Sequence, residues 1–269
     1  MTVKNRNILE VHDLAISLGG RAILDRVSFQ VRRGEAVAIV GPNGAGKTTL
    51  LKCLGGILAA DSGEVRLEGQ PLVNFSRKHL ARRISYVPQA DTQPVPFTVD
   101  EFVLMGRYPY LSPFSPVSRE DRLVVDRVME QTGIAGFASR RLDTLSGGER
   151  QKVYIAAALA QGGEVMLLDE PTTFLDYHHQ EDICRLLQET TRNARQTTVS
   201  VTHDVNRAAL ESDRIIALRD GRVVFDGPPE AVMHHDTLAN IYGCSFVLVE
   251  HPSRGMPMIV PHTTAEDPQ

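Results

Sequence analysis

The stretch Gly41-Pro-Asn-Gly-Ala-Gly-Lys-Thr-Thr49 constrains this chain more than any other. It fits G-x-x-x-x-G-K-[ST], with Gly41, Gly46, Lys47 and Thr48 at the fixed positions and Pro42, Asn43, Gly44, Ala45 and Thr49 completing the loop. An apolar run, Ala36 to Val40, leads in as a strand, and Leu50 to Leu54 continues as a helix. That order matters physically. The glycines let the backbone curl so that N–H groups point inward at a phosphate chain. The helix N-terminus adds partial positive charge at the same place. Lys47 is placed to reach the β- and γ-phosphates, and the Thr48 hydroxyl to ligate Mg²⁺. A bare glycine turn with a solvated lysine would not need these flanks. The stretch predicts a nucleotide phosphate site.

Such a site needs a sheet to stand on, and 269 residues suffice for one large α/β domain or a core with a subdomain. A net charge of −4 and a pI near 6.1 argue against a general nucleic-acid footprint. Cys53, Cys184 and Cys244 are scattered and odd in number, so reduced thiols in a cytosolic protein are expected. Met1 to Asn7 is polar, and no apolar run reaches bilayer length. Any membrane role is expected to come through a partner.

Alternation predicts strands at Ile8–Ser17 (Leu9 and Val11, then Leu14 and Ile16) and Ile23–Val31, around a Gly19-Gly20 turn. Further strands are expected at Glu64–Leu67, Ile84–Val87, Val165–Leu168 and Thr198–Val201, with a hairpin of Arg214–Leu218 and Arg222–Phe225 around Asp220-Gly221. Helical spacing marks Ser76–Arg83, Val99–Met105, Arg119–Thr132, Glu149–Ala160, Asp176–Asn193 and Asn206–Glu211. Strands alternating with helices imply a parallel sheet. Asp91–Thr144, broken by Pro94 and Pro96, reads as a helical subdomain inserted in that core, and Thr263–Gln269 as a frayed tail.

Two other stretches carry chemistry. Val165-Met-Leu-Leu-Asp169-Glu170 is an apolar strand ending in two carboxylates. Beside a phosphate loop, Asp169 is placed to hold Mg²⁺ and Glu170 to polarise an attacking water. Leu145-Ser-Gly-Gly-Glu149 is a helix start, with Ser146 as its cap and Gly147 and Gly148 exposing backbone N–H. Taken alone it is simply a capped helix. In this order, between the phosphate loop and the acidic pair, it resembles the signature sequence of ATP-binding-cassette (ABC) ATPases.

The resemblance covers nearly the whole chain, 1–262. It implies an α/β phosphate-loop NTPase core with an antiparallel β subdomain and an inserted helical subdomain of about 91–144. It matches Gln89 to the glutamine that senses Mg²⁺ and the membrane partner, Asp176 to the D-loop aspartate, and His203 to the switch histidine on the γ-phosphate. ATP and Mg²⁺ are the implied cofactors. Two copies are implied to face each other head to tail, each ATP lying between one copy's phosphate loop and the other's Ser146-Gly147-Gly148. The family usually stacks adenine on an aromatic residue ahead of the loop; here the corresponding stretch offers Leu18. The D-loop also carries Phe174 where small or polar residues are usual.

Gly106-Arg-Tyr-Pro-Tyr-Leu-Ser-Pro-Phe, Arg119-Glu-Asp121, Ile241-Tyr-Gly243 and Val260-Pro261 resemble the branch that imports iron siderophores, haem and cobalamin. This implies a polytopic membrane permease as partner, a substrate-binding protein indirectly, and residence at the cytoplasmic face of the cell membrane. Phe97, Tyr108, Tyr110, Leu111 and Phe114, bordered by Arg107 and Arg119, are candidate docking residues near Gln89. The competing reading is a soluble cassette serving a macromolecular assembly such as iron–sulfur cluster assembly. The pairs His178-His179 and His234-His235 have no credible partner ligands in the sequence.

Overall fold

The computed structural model describes residues 7–89, 95–112, 116–194, 196–252 and 255–260. β1 (Asn7–Leu18) and β2 (Arg21–Arg32) form a hairpin, and β3 (Ala36–Val40) runs into α1 (Lys47–Leu54). β4 (Ser62–Leu67), β5 (Gln70–Pro71), α2 (Arg77–Ala81) and β6 (Ile84–Val87) follow. Three helices come next: α3 (Val99–Met105), α4 (Arg119–Gln131) and α5 (Gly147–Gln161). The chain then alternates through β7 (Val165–Asp169), α6 (Tyr177–Ala194), β8 (Thr197–Val201) and α7 (Val205–Glu211). It ends with β9 (Arg214–Arg219), β10 (Arg222–Gly227), α8 (Pro229–Val232), α9 (His235–Tyr242), β11 (Val247–Glu250) and β12 (Pro257–Val260).

The main sheet has the order β10-β9-β3-β8-β7-β6, parallel from β9 through β6 with β10 antiparallel at one edge. A second, antiparallel sheet has the order β2-β1-β4-β5. Side-chain alternation divides the core. Val37 and Ile39 of β3 join the antiparallel sheet and α1 in one cluster; Ala38 and Val40 face α7, α8 and α9 in another. A third cluster packs Met166 and Leu168 of β7 against α3, α4, α5 and α6. This is the expected architecture: a phosphate-loop α/β core, an antiparallel β sheet and a layer of helices.

Local chemistry explains several element ends. In β1 the inward residues change phase, from Leu9 and Val11 to Leu14 and Ile16, across a bulge in which Asp13 has φ 45°. One extra residue restores the apolar face. Thr98, Ser118 and Ser146 each open a helix through a capping box, with Glu101, Asp121 and Glu149 reaching back. Arg33 and Arg83 alternate with Glu68 and Glu164 in a charge cluster that ties the antiparallel sheet to the main one.

Two expectations change. Residues after Gly227 received no elements from the sequence, yet α8, α9 and the β11–β12 hairpin form there. Asn206 of α7 holds the hairpin through both amide atoms, donating to Ile259 O at 2.9 Å and accepting from Ile259 N at 2.8 Å. Tyr110 is not a free docking ring either. Its face carries the Arg107 guanidinium at 3.9 Å and that of Arg82 at 5.1 Å, and its hydroxyl donates to Gln161 O at 2.9 Å. It knots the α3–α4 connection to α5 because a phenol satisfies cation, hydrogen-bond and packing needs at once. Phe97 and Tyr108 are exposed and Leu111 is half-buried. Pro94, Phe114, Pro261 and the tail Thr263–Gln269 lie outside the described residues.

Candidate functional site

Four adjacent parallel strands end on one side of the sheet, and each end delivers a site residue. β3 leads into Gly41–Thr49, β8 into His203, β7 ends in Asp169 followed by Glu170, and β6 is followed by Gln89. In open α/β sheets ligands bind outside the carboxyl ends of the strands. Residues up to 162 positions apart in sequence, from Gly41 to His203, thus share one end of the sheet. Asn43, Gln89, Glu170, Thr173 and His203 line one cleft there.

The phosphate loop is shaped by close backbone packing. Gly41 has φ 140°, and a Cβ there would lie 2.0 Å from Leu218 O. Gly46 has φ 97°, and its Cβ would meet Ile23 O at 2.8 Å. Only glycine fits either position. Gly46 precedes α1 without a side-chain cap, so the helix presents uncapped N–H groups. Lys47 is buried, and its Nζ donates to Gly41 O at 2.8 Å and Pro42 O at 3.0 Å. Burial lowers its pKa, while the charges of Glu170 and Asp169 oppose the shift.

Thr48 Oγ1 donates to Asp169 Oδ1 at 2.9 Å, bringing a hydroxyl and a carboxylate into contact at the mouth of the loop. These are hard oxygen donors of the kind Mg²⁺ takes, sharing the ion with waters and substrate phosphates rather than with a protein cage. Among the described residues no group of three or more His, Cys, Asp or Glu side chains is arranged for a metal. The donor set therefore fits an ion that arrives with a nucleotide. Tyr86 completes it, its hydroxyl donating to Asp169 Oδ2 at 2.8 Å. Burial, reinforced by the bond to Asp169, pushes the phenol pKa up and keeps it a donor. Tyr86 was missed in the sequence. Its signal is a polar ring on β6, next to β7 in register (Tyr86 opposite Leu167), two residues before the carboxylate.

Glu170 has φ 48°, a left-handed conformation costing a non-glycine residue roughly 1–2 kcal/mol. Its backbone N–H donates to Val201 O at 3.0 Å, which anchors the turn to the neighbouring strand. The carboxylate Oε2 faces Thr173 Oγ1 at 2.9 Å, Gln89 Nε2 at 3.4 Å and His203 Nδ1 at 3.5 Å. A partly sheltered carboxylate ringed by three polar groups can take a proton from water. Thr173 too was missed; its position three residues after Glu170 in a turn is the only hint.

Ser146, Gly147, Gly148 and Asp176 stand apart from this cleft. Ser146 pairs with Glu149, and Asp176 caps α6 by accepting from His179 N at 2.9 Å. Among the described residues no hydrogen bond or ion pair joins Ser146 or Asp176 to the phosphate loop of the same chain. Leu18 ends β1, 44% exposed, in the same hairpin whose Ile23 carbonyl abuts Gly46. Phe174 is 85% exposed beside Glu170, with φ 65°.

Residues 24–173 match the family model described as ABC transporter. The ferric enterobactin transport ATP-binding protein FepC of Escherichia coli (strain K12) is 38% identical over 253 residues, covering 94% of this chain and 93% of that protein. The hemin import ATP-binding protein HmuV of Streptomyces coelicolor is 43% identical over 249 residues, covering 93% and 88% respectively. A dimeric, post-hydrolysis structure of the ATP-binding cassette MJ0796 bound to ADP and Pi superposes with a TM-score of 0.71 and 29% identity, over 82% of this chain and 98% of that one.

Proposed function

The chain belongs to the ABC transporter family, and on that footing we propose that it is the ATP-hydrolysing subunit of an importer for an iron chelate or haem. The observation that carries the hydrolytic part is the convergence of Gly41–Thr49, Gln89, Asp169, Glu170 and His203 on one end of the sheet. The cargo class rests on relatives named for ferric enterobactin and hemin transport over some nine tenths of the chain. They give no support to a soluble cassette serving iron–sulfur cluster assembly.

The mechanism follows from placement. The loop N–H groups and the α1 N-terminus bind the phosphates, and Lys47 leaves the Gly41 and Pro42 carbonyls for the β- and γ-phosphate oxygens. Thr48 and Asp169, with Gln89, would hold Mg²⁺, which would supply charge neutralisation on the phosphates. Tyr86 fixes the Asp169 carboxylate in place. Glu170 takes the proton of the water that attacks the γ-phosphorus, and His203 donates to the γ-phosphate as charge builds on its oxygens. Leu18 covers the adenine.

Ser146, Gly147, Gly148 and Asp176 lie outside the cleft, and they complete the site from a second copy in a head-to-tail dimer. The MJ0796 cassette, dimeric and bound to ADP and Pi, supports a dimeric working state. Among the described residues no helix is long and apolar enough to cross a membrane, so coupling requires a permease. The docking surface in this reading runs from Gln89 to exposed Phe97 and Tyr108. The test is retention of the chain by a polytopic membrane protein in detergent, together with iron-chelate or haem uptake by cells lacking the gene. Uptake of every such compound at the wild-type rate would overturn the cargo assignment.

A further inference from the structure

His179 sits at the contact between the D-loop and the start of α5, and neither the sequence motifs nor the hydrolytic mechanism uses it. Its ring Nδ1 lies 2.8 and 2.9 Å from the two carboxylate oxygens of Asp176, while its backbone N–H donates to Oδ1 at 2.9 Å. Asp176 is thus an N-cap whose third-position partner is an imidazole rather than the usual glutamate. The same ring covers Gly148: a Cβ there would lie 2.3 Å from Cδ2 and 2.5 Å from Cγ of His179. Gly148 is buried and has to be glycine because the imidazole occupies the space a side chain would need.

The contact continues along both helices. One residue earlier, a Cβ at Gly147 would meet Leu175 Cδ2 at 3.5 Å. One turn later, Lys152 of α5 pairs with Asp182 of α6 at 3.0 Å. Of these contacts, His179 alone joins the D-loop carboxylate itself to the Ser146-Gly147-Gly148 turn. The link is electrostatic as well: the Ser146 backbone first, with Arg140 and His179 adding, holds the Glu149 carboxyl below its usual range.

We propose that His179 is a positioning residue that fixes Asp176 to the Gly147-Gly148 turn, so that the D-loop and the helix start move as one body when the second copy closes over ATP. Two surfaces that both face the partner's nucleotide must keep a constant spacing to bind it together. A bidentate imidazole–carboxylate contact resting on a glycine supplies that spacing without adding a residue to the chemistry. This rests on the head-to-tail dimer of the proposed function.

The test uses the full-length chain with two substitutions. His179→Phe keeps a ring of similar shape over Gly148 but removes the nitrogen facing Asp176; His179→Asn keeps an N–H near that position. In His179→Phe, kcat for MgATP falls about tenfold, the order expected from losing one hydrogen bond to a charged group. One-site ATP binding stays at the wild-type value, the thermal midpoint falls by only a few degrees, and His179→Asn retains kcat within about threefold. Asp176→Asn combined with His179→Phe is no worse than either alone, as for two members of one contact. Amide exchange of residues 146–149 and 172–180 rises together in His179→Phe and not in His179→Asn. Unchanged exchange in both segments, wild-type kcat in His179→Phe, or an equal loss in His179→Asn would each overturn the proposal. A wild-type chain without MgATP hydrolysis in its permease complex would instead sink the transporter reading, and the exchange result would still decide the role of His179.

Discussion

Glu170 and His203 come from the ends of two neighbouring strands, β7 and β8, and bring Oε2 and Nδ1 within 3.5 Å of each other. Register produces this proximity: Asp169 is opposite Val201, so each functional residue falls just past the last paired position. The carboxylate proposed to accept a proton and the imidazole proposed to donate toward phosphate then stand side by side, both lining the same cleft. Gln89, from the edge strand β6, touches the same carboxylate oxygen at 3.4 Å. That hydrogen bond ties the position of Gln89 directly to the Glu170 carboxylate.

Tyr86→Phe removes the hydroxyl that holds Asp169 Oδ2 and leaves the ring in place. The Mg²⁺ concentration for half-maximal hydrolysis rises about tenfold, the scale of one hydrogen bond to a charged group. Metal-free ATP binding is unaffected. A titration of hydrolysis against Mg²⁺ at saturating ATP measures the shift, and an unchanged midpoint would remove Tyr86 from the site.

Leu18→Tyr places a phenol where an exposed leucine now ends β1. Aromatic contacts contribute roughly 0.5–1.5 kcal/mol beyond buried area. ATP affinity therefore rises up to about tenfold by calorimetric titration. The gain vanishes with triphosphates lacking a base that can stack. Unchanged or weaker ATP binding would mean that adenine lies elsewhere.

Tyr108 and Tyr110 are two residues apart, yet their substitutions separate. Tyr108→Glu lowers retention by the permease and leaves ATP binding by the isolated chain intact, because the ring is exposed at 62%. Tyr110→Phe deletes the bond to Gln161 O and costs about 1 kcal/mol in denaturant unfolding, without changing permease retention. The reverse pattern would exchange the roles of the two rings.

Much of this was legible in the sequence because it is local. Gly41–Thr49, Asp169-Glu170 and Ser146–Glu149 are short runs whose residue types dictate backbone shape, and apolar strands such as Val165–Leu168 announce themselves. Asn206–Ile259, Tyr86–Asp169 and His179–Gly148 were not legible. Each depends on which strands or helices become neighbours, and no periodicity encodes that. Tyr110 misled for the same reason: a proline-flanked aromatic stretch looks exposed until Arg82 and Arg107 are seen on its face. His179 looked idle because its bonding partner Asp176 already reads as a motif residue, and the Gly148 beneath its ring leaves no chemical trace in the sequence.

The central claim is that Glu170 takes a proton from the attacking water in a chain that couples hydrolysis to a permease. Glu170→Gln keeps the size and the contacts of the side chain and removes its basicity. With the permease present at saturating MgATP, kcat falls by a hundredfold or more, a loss of about 2.7 kcal/mol and within the range of general-base effects. MgATP binding and ATP-driven dimer formation persist. Wild-type turnover by Glu170→Gln in that complex would contradict the account.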